Sequence, residues 1–197
     1  MRRVAVMGGS CTGKTTTSRA LAARLGVPHI ELDALHHGPG WQEARADVFQ
    51  ARVREAFAAA PDGWVVDGNY RSKLGDLVLE AADTAVLLEP PFLRTFGRSL
   101  KRTTRRTFTR EELWNGNTER FRHVFRSDWI PFWVIRTHRH YEGQNRARVA
   151  AHPHLRLVRL RSDAEVEAFL QSIQATESMS GSSNGSERQN TPPFAET

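Results

Sequence analysis

Gly8, Gly13, Lys14 and Thr15 stand at the spacing G-x-x-x-x-G-K-[ST] within "GGSCTGKTT". That spacing suits the handling of a polyphosphate. Main-chain N–H groups along Gly8, Gly9, Ser10, Cys11, Thr12, Gly13, Lys14, Thr15 and Thr16 can converge on phosphate oxygens. Lys14 can reach the β and γ phosphates, and the Thr15 hydroxyl can hold Mg²⁺. A second candidate is Asp67, which closes the apolar run "WVVD". Crevice ligands of open α/β sheets bind at the carboxyl ends of strands, where a carboxylate can hold Mg²⁺ through water.

These residues need elements that position them. Arg2 to Met7 reads as an opening strand, and Lys14 to Leu25 as a helix stopped by Gly26, with Pro28 just beyond. Further along, "VPHIEL", "GWVVDG", "DTAVLLEP" and "HLRLVRLR" read as strands. Helical periodicity marks "ADVFQARVREAFAAA", "FLRTFGRSLKRTTRR", the region around "DWIPFWVIRTHRHYEGQNRARVA", and "DAEVEAFLQSI". Strands alternating with helices imply right-handed crossovers and a five-stranded parallel sheet with helices on both faces, a three-layer α/β fold. Residues 1–173 make one domain. Residues 174–197, rich in Ser, Gly, Asn and Pro, are expected to form a disordered tail.

The chain has 197 residues and a formal charge of +6, and removing Thr176 to Thr197 leaves 27 basic against 19 acidic residues, or +8. Such a body favours polyanionic partners, nucleotide phosphates and nucleic acid alike. No apolar run approaches the roughly 18 residues of a membrane span. With a single cysteine, Cys11, no intrachain disulfide can form. A cytoplasmic protein is expected. Cys11 reads either as a small tolerated loop residue or as a redox-sensitive thiol.

The sequence after Asp67 narrows what is done with a bound nucleotide. A switch GTPase would carry Asp-x-x-Gly here, but the fourth residue is Tyr70, and no Asn-Lys-x-Asp occurs anywhere. Many hydrolytic ATPases place Glu directly after this Asp to activate water; here Gly68 stands there. The missing base favours transfer over hydrolysis.

"APDGWVVDGNYR" resembles the Asp-Gly-Phe-Pro-Arg segment of adenylate-kinase-like nucleotide kinases, matching at Asp67, Gly68 and Arg71 and departing at Asn69 and Tyr70. Together with "LDALHHGPGW", "GRSLKR" and "WNGNTERF" it is more similar to the bacterial P-loop proteins labelled DNA topology modulation, over most of residues 1–173. The resemblance implies a P-loop nucleotide-kinase fold with an Arg-rich helical lid and a Mg·ATP-dependent phosphotransferase. Seven basic residues and no acid lie between Arg94 and Arg110. Arg98 and Arg102, four apart on a helix, match the Arg-x-x-x-Arg that leads into the lid of such kinases, where arginines stabilise the transferring phosphoryl group. "TFTREELWNGNTERFRHVFRS" then looks like the lid, at about 107–127, with Arg106, Trp114 and Arg120 available to cover the nucleotide and exclude water. The same arginines could instead form a solvated helix face or meet nucleic acid. Arg136, Arg139 and Arg146 are weaker candidates for the same phosphates.

The acceptor is less defined. Adenylate kinases carry Thr-Gly-Asp-Leu-x-Arg after the second strand, and nothing like it follows "HIEL". Asp33 stands there instead, where P-loop kinases of small hydroxyl compounds place an acid. A hydroxyl acceptor benefits from a base within hydrogen-bond reach, whereas a phosphate acceptor is already ionised. A magnesium-side role or a helix cap would also explain Asp33. Asp67 and Arg71 face the acceptor in this reading, and Trp41, after "HHGPG", either touches it or pins a loop.

Other residues carry weaker signals. Adjacent His36 and His37 should diverge, and His138 and His140 do not share a helix face. His152 and His154 flank a proline with no cysteine near, which gives a zinc reading little support. Trp129 and Trp133 read as core rather than as a base-stacking platform.

The expected activity is transfer of the γ-phosphoryl of Mg·ATP to a small-molecule acceptor, a nucleotide, nucleoside or other hydroxyl compound. Lys14, Arg98, Arg102 and Asp33 would be catalytic, and Thr15 and Asp67 would hold the metal. The alternative is a nucleotide-dependent DNA- or RNA-binding regulator.

Overall fold

The computed structural model describes residues 1–109 and 142–182. β1 (Arg3–Gly8), β2 (His29–Glu31), β3 (Trp64–Asp67), β4 (Thr84–Leu88) and β5 (Arg156–Leu160) form one sheet in the order β2-β3-β1-β4-β5, and every adjacent pair is parallel. The five-stranded parallel sheet expected from the alternation of elements is therefore present, with the loop-bearing β1 at its centre.

β1, β3 and β4 read as continuous apolar runs because both of their faces are covered. Val4, Val6, Val65, Val86 and Leu88 pack under α1 (Lys14–Leu25) and α8 (Asp163–Ser182). Ala5, Met7, Val66, Ala85 and Leu87 point the other way. There they meet α3 (Ala46–Ala58), the short helices α4 (Arg71–Leu74) and α5 (Leu77–Ala81), and α7, described over 142–150. Phe49 and Trp64 are 0 % and 1 % exposed, and the Trp64 ring stacks on Phe57 with centroids 4.1 Å apart. Burying each such side chain stabilises the fold by about 1.5–3 kcal/mol. β5 is one of the two edge strands, and its Leu157 stays 45 % exposed.

α1 has the bounds that its capping signals predict. Its Ccap, Gly26, lies at φ +61° and returns its N–H to the Ala22 carbonyl. Several boundaries differ from expectation, β1 by one residue at each end, and two of the shifts bear on the site and the tail. The second strand ends at Glu31, and Leu32 already opens α2 (Leu32–His36). The last helix passes Ile173 and continues to Ser182, so the expected boundary of the tail falls inside it. The reason is local: "QATESMS" contains no proline and no glycine, and Gln, Ala, Glu and Met favour helix. α2, α4 and α5 were not legible as helices, because four or five residues are too few to show a 3.6-residue period.

α6 (Phe92–Thr109) is the expected basic helix after β4. Arg106 lies on it, but the side chain of Arg106 is outside the described residues, as are Trp114, Arg120 and nearly all of the expected lid. So are Trp129, Trp133, Arg136, Arg139, His138 and His140.

Candidate active site

The candidate phosphate-binding segment runs from the buried end of β1 into the first turn of α1. Gly8 is required there, since a Cβ would lie 2.8 Å from the Leu88 carbonyl oxygen and 2.7 Å from Thr12 Oγ1. Gly13, just before the helix, adopts φ +98°, and Cys11 adopts φ +60°. The Thr12 hydroxyl donates to the Gly9 carbonyl at 3.0 Å, and Lys14 Nζ donates to the same oxygen at 2.7 Å. Ser10, Thr15 and Lys14 are half-buried, and Thr16 is exposed on the first turn. Burial pushes the Lys14 ammonium below its ordinary pKa, while Asp67 and Asp33 act in the opposite direction. Both carboxylates therefore lie close enough to this lysine to share its field.

The basic helix α6 reaches back to this loop. Arg98 Nη1 donates to the Thr12 carbonyl at 3.3 Å, and its Nη2 donates to Asp163 Oδ1 at 2.5 Å. Arg94 binds the other oxygen of Asp163 at 3.3 Å. Arg102 Nη1 lies 4.0 Å from Cys11 Sγ, and its buried Nε has no partner among the described residues. The two arginines four apart thus share the face that meets the loop, and Arg102 keeps a donor to spare. Arg146 has another task. Its Nε donates to Glu89 Oε1 at 2.6 Å, and Arg159 donates to Glu89 Oε2 at 2.9 and 3.1 Å, which joins the end of β4 to α7 and β5.

Asp67 is 5 % exposed, and its Oδ2 is buried with no hydrogen-bond partner among the described residues. An orphaned carboxylate oxygen beside Lys14 fits a cation or a cation-bound water. Thr15 and Asp67 therefore suit Mg²⁺, which takes few protein ligands and relies on phosphate oxygens and water. No cluster of three or more His, Cys, Asp or Glu that could hold a metal by itself occurs among the described residues. Gly68 follows at φ +136°, where a Cβ would come within 2.7 Å of the Leu32 side chain. Asn69 then donates from Nδ2 to the Gly8 carbonyl at 2.5 Å, tying the end of β3 to the loop.

On the far side of Asp67 lies a group of side chains from three separate segments. Asp33 sits in the first turn of α2, without capping it, and Oδ1 accepts the Tyr70 hydroxyl at 2.5 Å. His37 Nε2 stands 3.2 Å from the same hydroxyl. Burial, reinforced by the Asp33 carboxylate, pushes the Tyr70 phenol far above its ordinary pKa, so it remains a donor. His36 is 2 % exposed, with its ring 4.6 Å from those of both His37 and Tyr70. The expectation that the adjacent histidines diverge is corrected here. α2 ends at His36 and His37 is extended, so both rings turn toward Tyr70. Burial, aided by Lys73 and His37, pushes His36 below the ordinary histidine range. Lys73 Nζ donates to Glu43 Oε2 at 2.8 Å and lies 3.2 Å from His36 Nε2.

Segment 36–44 folds back on itself, with Gly38 N–H to Gln42 and Ala44 N–H to His36. Trp41 is near its tip, 39 % exposed, with its ring 5.5 Å from His37. Arg71 is exposed at the start of α4, beside Tyr70 and Gly68, on the rim of a cavity of about 30 Å³ floored by Leu32, Val66 and Leu79. His152 and His154 each have a ring nitrogen within 3.1 Å of a backbone carbonyl oxygen, a structural use that leaves the zinc reading unsupported.

The structure thus brings Lys14, Arg98 and Arg102 to the loop, and sets Asp33 and Asp67 within the field of Lys14. Sequence reasoning missed Asn69, Tyr70, His37 and Asp163. A signal existed for the first two, since they are the positions that depart from the nucleotide-kinase pattern.

No family model matches the chain, and no curated protein matches it. Solved structures do. A gluconokinase from Sinorhizobium meliloti 1021 is 22% identical with a TM-score of 0.51, covering 91% of this chain and 97% of that one. A shikimate kinase from Acinetobacter baumannii, in complex with shikimate, is 16% identical with a TM-score of 0.53, over 91% and 94%. A shikimate kinase from Bacteroides thetaiotaomicron is 14% identical with a TM-score of 0.51, over 90% and 98%. At these identities the likeness is one of fold: the chain shares the α/β fold of these structures, here a five-stranded parallel sheet with helices on both faces.

Proposed function

We propose that this protein is a P-loop kinase that transfers the γ-phosphoryl of Mg·ATP to a hydroxyl of a small-molecule acceptor. The observation that carries this reading is the meeting of two features at one end of the sheet: Lys14 is bound into the glycine-rich loop that follows β1, and the neighbouring strands β3 and β2 lead to Asp67, with an unpartnered oxygen, and to Asp33, bound by a phenol. A donor site and a proton acceptor thus adjoin at one end of the sheet.

In this reading the loop N–H groups and Lys14 hold the triphosphate, and Arg98 and Arg102 meet the charge that spreads over the transferring phosphoryl. Thr15 and Asp67 would hold Mg²⁺, which screens the phosphate charge. Asp33 accepts the proton of the acceptor hydroxyl as its oxygen bonds to the γ-phosphorus and the bond to the β–γ bridging oxygen breaks, releasing ADP. Asp33 is a carboxylate with one oxygen bound by the Tyr70 hydroxyl, and a base of this kind serves a hydroxyl acceptor, whereas a phosphate acceptor needs none. The names of the structural neighbours, gluconokinase and shikimate kinase, support an acceptor of that kind. Arg71 and Trp41 border it. Within the fold we place the chain beside the adenylate-kinase-like proteins labelled topology modulation, on "LDALHHGPGW" and "DGNYR".

The nucleic-acid alternative ranks second, because Arg94 is bound to Asp163 and Arg98 and Arg102 turn toward the loop rather than outward. No helix among the described residues is long and apolar enough to cross a membrane.

An acceptor panel of polyols, sugar acids, cyclic hydroxy acids, nucleosides and nucleotides tests the reading by ADP release from Mg·ATP. One hydroxyl compound should stimulate release at least tenfold, and Lys14→Ala should remove that stimulation. Turnover indifferent to every acceptor would sink it.

A further inference from the structure

Tyr70, the phenol bound to the proposed base Asp33, is itself met by His37, which has no part in the scheme above. A phenol has one proton to donate. At 2.5 Å that proton goes to Asp33 Oδ1, so the contact with His37 Nε2 at 3.2 Å is one in which the phenol oxygen accepts. The direction of donation is then His37 to Tyr70 to Asp33. The main chain holds the two residues together, because His37 N–H donates to the Asp33 carbonyl at 3.0 Å and closes the turn that carries both.

We propose that Tyr70 and His37 are positioning residues of the acceptor site: the chain His37–Tyr70–Asp33 occupies one oxygen of Asp33 and presents the other, Oδ2, to the acceptor hydroxyl. This rests on the phosphotransfer reading and deepens it by naming the oxygen that takes the proton. Rigidity comes from behind. His36 and Phe49 pack on the tyrosine ring, with centroids 4.6 and 5.1 Å from it, and Lys73, bound to Glu43, lies against His36. The charged and titratable groups around His37 are Asp33 and His36 from α2, Glu43 opposite it across the 36–44 turn, and Tyr70 and Lys73 from the α4 side. Arg52 of α3 binds the neighbouring Leu35 carbonyl. A tyrosine at this place also accounts for the departure from the Asp-Gly-Phe-Pro-Arg pattern, since neither Phe nor Pro can donate to Asp33.

The test uses the full chain and two readouts. Nitrogen-15 NMR of the histidine rings at pH 8 should show His37 with a proton on Nε2, and Tyr70→Phe, which keeps the ring and its packing, should shift that resonance. A bare Nε2 would overturn the proposal whatever the kinetics. With Mg·ATP and the best acceptor from the panel, Tyr70→Phe should lower kcat about 10- to 100-fold, the cost of a misplaced reacting group. KM for ATP should stay within about twofold in that variant. On an Asp33→Asn background the same change should cost nothing further, because a positioning residue acts only through its partner. An equal loss on both backgrounds would also overturn the proposal. Absence of any acceptor-dependent turnover removes the phosphotransfer reading instead, and the NMR result alone then decides the wiring.

Discussion

In the proposed reading, the donor and acceptor halves of the site are built by different means. The donor half is mainly a main-chain construction: Lys14, the Thr12 hydroxyl, Arg98 and Asn69 all bind loop carbonyls, and two glycines hold conformations that a side chain would spoil. The acceptor half is a side-chain construction, in which Asp33, His37, Glu43, Tyr70 and Lys73 bind one another across 30 to 37 positions of sequence. A backbone cradle recognises what all nucleoside triphosphates share. A cluster of side chains can be rewritten residue by residue, which is where acceptor specificity belongs.

That contrast can be broken most severely at Lys14. Lys14→Ala should reduce acceptor-dependent turnover to background, about 10³-fold or more, and weaken Mg·ATP binding measured by calorimetry. The next effect distinguishes the halves. Asp33→Asn should lower kcat by about 10²- to 10⁴-fold, as expected for loss of a general base, while calorimetric affinity for Mg·ATP stays unchanged. A comparable loss of nucleotide affinity would place Asp33 on the magnesium side instead. Arg102→Ala should cost about 10²- to 10³-fold in kcat, the usual effect of removing one donor from a developing charge, with thermal stability preserved.

The unequal construction also explains what the sequence revealed. The sheet, its parallel strands and α1 were legible because they depend on contiguous patterns: apolar runs, a helical period and capping glycines. The loop was legible for the same reason, since its chemistry fits within eight consecutive residues, Gly8 to Thr15. Asp33 was reachable only as a residue near a strand end. Its partner Tyr70 was not, because nothing in one sequence says that positions 33 and 70 meet; that follows from β2 and β3 lying side by side in register. The paired histidines misled for a related reason. The divergence of adjacent side chains holds within a regular element, and α2 ends between them.

Two smaller effects sharpen the comparison. Trp41→Ala should raise the acceptor KM by about two- to tenfold, in line with aromatic contacts of about 0.5–1.5 kcal/mol, and leave KM for ATP alone. Glu89 offers a control away from the acceptor. Burial alone would raise its pKa, but hydrogen bonds from Arg146 and Arg159 outweigh burial and hold it below the ordinary carboxylate range. A carboxyl that is more acidic folded than unfolded stabilises the protein at neutral pH, and that contribution is lost as pH falls below about 4.5. Thermal melts should therefore show a smaller difference between pH 7 and pH 4 for Glu89→Gln than for the unaltered chain.

In the proposed reaction, phosphoryl passes from the loop to a hydroxyl beside Asp33 rather than to water. Phosphorus-31 NMR of the protein with Mg·ATP and the stimulating acceptor follows that group directly. A phosphomonoester resonance should grow in step with ADP, and far more slowly with Asp33→Asn. Inorganic phosphate as the sole new resonance, at a rate the acceptor does not change, would contradict it.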